Sequence, residues 1–269
     1  LPSEEGSHDD LRAVRTPSGR TAKSFPLGSV SHLLASLDVY PDKVKGIADI
    51  GDWSANNLEQ IVTLNPDLIV APVYAKPEQI DMLAKIAPTV IPPYTGLDVF
   101  QRLNGIGDIL GKKKEAEAWV AAFDAKAKTT KEKLKSSIRE GETAAIFQIT
   151  GKRFMVYGSR NVGHVIYNVL GFVPPAPVKA KIAADVNFNI ADISMEVLPE
   201  YAADRIFVVS TSNDADADKK LKELTDSAIW KILPAVKNNR VYTLSDKWTQ
   251  YNSLMLDWQL DDALKQLTR

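Results

Sequence analysis

Residues 57–70 read Asn-Leu-Glu-Gln-Ile-Val-Thr-Leu-Asn-Pro-Asp-Leu-Ile-Val. Their outline returns at 194–208 as Ser-Met-Glu-Val-Leu-Pro-Glu-Tyr-Ala-Ala-Asp-Arg-Ile-Phe-Val. In both, a polar and an apolar residue precede a glutamate (Glu59, Glu196), and an aspartate follows eight positions later (Asp67, Asp204). Each segment then runs into a short apolar stretch, 68–71 and 206–210, of the length and composition of a buried strand. The glutamates stand about half a chain apart. A repeat at that distance predicts two α/β halves built on one plan, rather than one extended sheet.

Both halves alternate helix and strand signals. In the first, a helix over 57–64 is capped by Asn56-Asn57 and stopped before Pro66. A strand at 68–71 follows, then a helix over 77–86 with Pro77 in its first turn, then a strand at 89–91 closed by Pro92-Pro93. In the second half, strands at 144–149 and 154–157 flank a Gly151-Lys152 turn, and a helix over 163–170 stops at Gly171. Further along come helices over 195–201 and 218–224, strands at 206–210 and 241–244, and a closing helix over 252–267.

Between the halves, 113–139 contains neither Pro nor Gly, and Ala116, Trp119, Val120, Phe123, Ala127, Leu134 and Ile138 fall on one helical face. This stretch predicts one long helix of about 40 Å, a stiff spine joining the lobes. The resulting layout is a polar tether over 1–24, an N-terminal lobe over 25–112, a linking helix over 113–139 and a C-terminal lobe over 140–269.

Composition narrows the function. The 269 residues are 45% hydrophobic and 25% charged, an ordinary globular mixture with room for two domains. Lys and Arg total 33 against 34 Asp and Glu, which gives no basic excess to draw nucleic acid. The absence of cysteine excludes thiol catalysis, Cys-zinc sites, iron–sulfur clusters and disulfides. No apolar run approaches the roughly 20 residues of a membrane span. The polar opening stretch reads as a processed N-terminus or tether.

Four segments, 53–71, 99–119, 147–171 and 193–208, carry a resemblance that extends over 25–269. The sequence is similar to the substrate-binding proteins of bacterial ABC importers for ferric siderophores, haem and vitamin B12. The resemblance implies two Rossmann-like lobes joined by one long α-helix, with the ligand cleft between them. It also implies an extracytoplasmic protein, a monomer, that captures a ferric siderophore and delivers it to a permease dimer with its ATPase. The alternative within the class is haem or cobalamin. The iron arrives fully chelated, so no cofactor and no protein metal ligand is expected. A lipid tether would hold the chain at the cell membrane; the alternative is a free periplasmic form. The sequence departs from the family in two places. The 25–45 stretch is short for the usual opening elements of the first lobe. The loop after Tyr157, Gly-Ser-Arg-Asn-Val-Gly, lacks the aromatic-Gly-Arg triplet common in hydroxamate binders.

Ligands of open α/β sheets sit beyond the carboxyl ends of the strands. The residues following each expected strand are Tyr74 and Lys76, then Tyr94, then Arg160, then Thr211, Ser212 and Asn213, then Trp248 and Tyr251. Trp53 joins them from the segment ahead of the Glu59 helix, and Arg153 from the turn between two strands. Arginine forks onto chelate oxygens and aromatic rings pack the spacer chains, so this set suits an oxygen-rich, partly apolar ligand. Each residue also has a plainer reading, as core, loop packing or a surface ion pair.

Glu59 and Glu196 open their helices, where the helix dipole favours a carboxylate. The resemblance adds a role for them, one acidic residue per lobe docking onto the permease. A site for bare zinc or manganese would need clustered histidines, and His8, His32 and His164 are scattered. Haem would need an axial ligand such as His164 or a cleft tyrosine. No Gly-x-Ser-x-Gly elbow is present, and the glycines of 104–111 lie in a helical pattern with no strand before them, so an enzyme is not expected.

Overall fold

The computed structural model describes residues 12–14, 23–25, 39–40, 42, 47–50, 57–92, 96–210 and 214–268. The chain divides into two compact units, Leu1–Ala121 and Ala122–Arg269.

The first unit is built on a five-stranded sheet in the order β3-β2-β1-β4-β5. Its strands are β1 (Arg12–Val14), β2 (Lys23–Phe25), β3 (Ile47–Asp49), β4 (Ile69–Val70) and β5 (Thr89–Val90). The stretch 1–24, expected as a polar tether, therefore supplies the central strand and part of its neighbour. Strands of three residues are too short to show a period-2 pattern, which is why they escape a reading by periodicity. Helix α1 (Leu58–Leu64) starts where Asn57 Oδ1 accepts the Gln60 N–H at 3.0 Å. It ends at Asn65, left-handed with φ 46°, ahead of Pro66. Helix α2 (Pro77–Ala84) follows β4, and Ile50, Ile61, Ile69, Ala71, Leu83 and Ala87 form the core of this unit.

Helix α3 (Val99–Ile109) is opened by a capping box in which Asp98 Oδ1 accepts from the Phe100 and Gln101 N–H groups and Gln101 Oε1 accepts from the Asp98 N–H. A Cβ on Gly107 would lie 2.7 Å from Ala116 Cβ. That glycine permits close helix packing, which explains the glycine-rich 104–111 run without a phosphate.

Helix α4 (Lys113–Leu134) contains the division between the units and spans about 33 Å. It stops five residues before the expected Arg139. The Ser137 and Ile138 N–H groups both turn back to Leu134 O, and Arg205 Nη2 takes the Ser137 carbonyl. The Ser137 carbonyl, in the turn beyond the helix, thus has a tertiary partner.

The second unit has a five-stranded sheet in the order β10-β9-β6-β7-β8. Its strands are β6 (Ala144–Ile149), β7 (Phe154–Tyr157), β8 (Ile190–Asp192), β9 (Arg205–Ser210) and β10 (Val241–Ser245). Counting strands within each unit, this is the same order as in the first sheet, as the internal repeat predicts. Two of the four pairings keep their sense and two do not: β1–β4 is antiparallel where β6–β9 is parallel, and β2–β3 is parallel where β7–β8 is antiparallel. The helices are α5 (Ala176–Ala184), α6 (Ala215–Asp226), α7 (Ala228–Lys231), α8 (Pro234–Lys237) and α9 (Ser253–Leu267).

Two expected α-helices take other forms. His164–Val169 is a π-helix, with the Leu170 N–H reaching Val165 O. Met195–Tyr201 is a 3₁₀ helix, because Pro199 inside it has no N–H to give an α ladder.

Glu142, after the end of α4, is buried and bonds Arg205 Nε at 3.0 Å and Nη2 at 3.2 Å, with Arg240 Nη1 at 2.5 Å. Beside it Asp204 accepts from both the N–H and hydroxyl of Thr143. This polar cluster pins the start of β9 to the start of β6.

Candidate functional site

The loop from Gly158 to Gly163 is tightly specified by its two glycines. A Cβ on Gly158 would lie 2.2 Å from Phe188 O, and one on Gly163 would lie 1.7 Å from Gly158 O, so both positions require glycine. The Ser159 hydroxyl donates to Val186 O at 2.8 Å, and Asn168 Nδ2 donates to Ser159 O at 3.0 Å. Asn161 is left-handed (φ 51°) and its Nδ2 donates to Thr249 O at 3.1 Å. This frame holds Arg160 half-buried, with its guanidinium carbon 5.2 Å from the centre of the Tyr251 ring. Among the described residues no carboxylate pairs with Arg160. A half-buried cation on a loop fixed by these bonds, with an aromatic ring beneath it, is equipped to bond ligand oxygens.

Tyr251 is 6% exposed and its ring centre lies 5.7 Å from that of His164, which in turn lies 6.5 Å from Phe123 on α4. The structure therefore brings together two of the expected site residues, Arg160 and Tyr251. It adds His164, Asn161 and Phe123, which the sequence reading left out of the binding set. The signal for the loop is the pair of glycines bracketing Arg160; the sequence offers His164 only as an axial haem ligand and Phe123 only as part of the α4 stripe, since the two meet through packing.

The remaining expectations are distributed as follows. Trp248 is a correction: its side chain is 0% exposed, Nε1 donates to Asp262 Oδ2 at 2.7 Å, and its ring packs on Trp258 at 6.2 Å. It is core, because the 3₁₀ turn Asp246–Thr249 folds it inward. Arg153 forks onto Asp192 (Nε–Oδ1 2.8 Å, Nη2–Oδ2 3.1 Å), and that bond holds the Asp192 carboxyl below its ordinary range. Tyr74 is 38% exposed in the turn after β4, and exposed Lys76 caps α2, its N–H donating to Gln79 Oε1 at 3.1 Å. Trp53, Tyr94, Thr211, Ser212 and Asn213 lie outside the described residues.

Strand direction also revises the placement. Ligands sit beyond one edge of the sheet only where every strand runs the same way, and this sheet is mixed. Because β7 is antiparallel to β6, with Ile149 opposite Phe154, Arg153 stands at the edge where β6, β9 and β10 end. Arg160 leaves β7 at the opposite end and meets Tyr251 through the loop.

Glu59 is exposed in the first turn of α1, and Glu196 is exposed in the first turn of its 3₁₀ helix. A hydrogen bond from Ser194, and then the N–H of Glu196 itself, lower the Glu196 carboxyl from its ordinary value. Among the described residues no group of three His, Cys, Asp or Glu could hold a metal ion, and no helix is long and apolar enough to cross a membrane.

A family model described as periplasmic binding protein matches residues 30–247. The chain belongs to this family. It is 36% identical over 225 residues to the iron(3+)-hydroxamate-binding protein YxeB of Bacillus subtilis (strain 168), covering 81% of this chain and 67% of that one. To the iron(3+)-hydroxamate-binding protein FhuD of the same organism it is 33% identical, covering 86% and 71%. Among solved structures it resembles a FhuD fold-family periplasmic binding protein component of a Fep/Fec-like ferrichrome ABC transporter from Bacillus subtilis. That match has a TM-score of 0.71 at 32% identity and covers 88% of each chain. The binding-protein fold agrees with the α/β class and duplicated plan read from the repeat.

Proposed function

We propose that this periplasmic binding protein captures a ferric siderophore outside the cytoplasm and delivers it to an ABC importer for iron uptake. The observation that carries the reading is Arg160: a half-buried guanidinium over Tyr251, paired with no carboxylate among the described residues. A ferric chelate presents anionic or carbonyl oxygens on a bulky, partly apolar body, and a forked cation beside an aromatic ring matches both features. The two hydroxamate-binding relatives support iron chelates as the substrate class. The iron is cargo, complete in its own coordination shell, so the protein works by binding rather than by catalysis.

The same reading gives Glu59 and Glu196 to docking on a permease dimer whose ATPase supplies the energy of transport. Their exposure and their matched places in the two repeats support it. The protein acts as a monomer held at the cell membrane by a lipid tether, and partitioning of the full-length protein into detergent checks the tether.

Titration of intrinsic tryptophan fluorescence with ferric hydroxamate, catecholate and citrate chelates, and with haem and cobalamin, tests the substrate. Saturable quenching by a ferric chelate is expected. Saturation by haem or cobalamin alone would overturn the proposal.

A further inference from the structure

We infer that His164 is a positioning residue for the ligand site: it sets the pose of the Tyr251 ring and, through that ring, of the Arg160 guanidinium. The inference rests on the siderophore reading for the identity of the ligand, while its geometry stands on the free protein.

His164 is itself fixed before it touches Tyr251. Its N–H donates to Asn161 O at 3.0 Å, and it opens the π-helix directly after Gly163, where the chain has no room for a Cβ. Its ring lies 5.7 Å from Tyr251, tilted by 58°, and 6.5 Å from Phe123, tilted by 41°. Besides the contact of Arg160 with Tyr251 itself, two further contacts hold this region to the 249–251 segment. Asn161 Nδ2 bonded to Thr249 O sets the distance between the two backbones. The His164–Tyr251 contact sets the ring, on which the guanidinium rests at 5.2 Å.

Arginine has several rotamers to lose when it binds, and a cation already held over a ring has lost part of that freedom before the ligand arrives. Removing the imidazole takes away one support of the Tyr251 ring and leaves space beside it, so the ring and Arg160 with it gain freedom. The chain then pays that ordering cost on binding. Phe123 belongs to α4, so the backing of the site is anchored in the connecting helix rather than in another loop.

The test compares His164→Ala and His164→Phe with the parent protein, using ferrioxamine B as the fluorescence probe. His164→Ala should weaken binding about tenfold, and His164→Phe, which keeps a ring in place, should stay within about twofold of the parent. In an Arg160→Ala background the His164→Ala change should add almost nothing, because the two act as one unit. Parent-like binding by His164→Ala, equal loss in both His164 variants, or a full additive loss in the Arg160→Ala background would each overturn the inference. A parent protein that binds no ferric chelate would sink the siderophore reading instead. In that case the ligand-free crystal structure of His164→Ala decides: Arg160 displaced from Tyr251 upholds the positioning role, and an unchanged pose ends it.

Discussion

Glu142 takes Arg205 in a fork, Nε at 3.0 Å and Nη2 at 3.2 Å, where both side chains are withdrawn from water. Arg205 also donates to Tyr242 Oη at 3.0 Å and to the Ser137 carbonyl in the turn after the connecting helix. Replacing the carboxylate leaves a buried guanidinium without its counter-charge. Glu142→Ala should therefore destabilise the protein by about 3–5 kcal/mol. Urea unfolding followed by circular dichroism measures it; a loss under about 1 kcal/mol would mean that water reaches the pair.

The same corner governs behaviour in acid. Burial pushes the Glu142 carboxyl up, but the bond from Arg205, the Arg139 N–H and the charges of Arg205 and Arg240 outweigh it and the net shift is downward. Asp204 is lowered first by the Thr143 N–H and further by the Thr143 hydroxyl and by Arg139 and Arg240. Groups depressed in the folded state contribute stability above their unfolded pKa and lose it as pH falls through the folded one. Stability should hold from neutral pH down to about 5 and fall below about 4. Asp204→Asn should be less stable at pH 7 and show a shallower fall, as read from denaturation midpoints across pH.

Arg160→Ala should weaken ferric chelate binding by about 10- to 100-fold, the scale of a hydrogen bond to a charged group. Arg160→Lys should recover only part of it, since an ammonium cannot fork onto two oxygens. The melting temperature should hardly move, because no ion pair among the described residues is broken. Titration and thermal melts on the same samples separate the two effects.

Trp248→Phe separates core from cleft. It removes the donor to Asp262 and leaves that carboxylate short of a partner, so a loss of about 1–3 kcal/mol in stability is expected. Affinity for the chelate should stay within about twofold of the parent. The reverse pattern, weak binding with parent stability, would return Trp248 to the ligand site.

Glu59→Ala and Glu196→Ala should each reduce chelate uptake by cells while purified protein binds as before. Uptake of radiolabelled iron chelate, set beside the affinity of the same variant, reads the difference. A variant that loses affinity as much as uptake would remove that glutamate from the docking role.

Most second-unit elements were legible because their signals are local: Asn252 caps α9, Gly171 ends the π-helix with φ 86°, and β6 and β9 are apolar along almost their whole length. The type of helix was not. A glycine stop reads the same after an α- or a π-helix, and Val165, Ile166 and Tyr167 would be buried apolar residues in either. In the candidate site, Arg160 and Tyr251 could be picked out as residue types placed after strands, but not that they would meet. Trp248 was misread, since position after a strand does not say which way a side chain turns.

The sequence by itself determined the duplicated α/β plan, the caps and stops of its helices, and the place of a cation within a glycine-bracketed loop. These follow from near-neighbour backbone chemistry and from the apolar content of short stretches. Tertiary structure decided that Arg160 would stand on Tyr251 while Arg153 would be taken by Asp192. Each of those outcomes depends on a partner dozens of positions away, and strand direction, which brings such partners together, is not written in any local stretch.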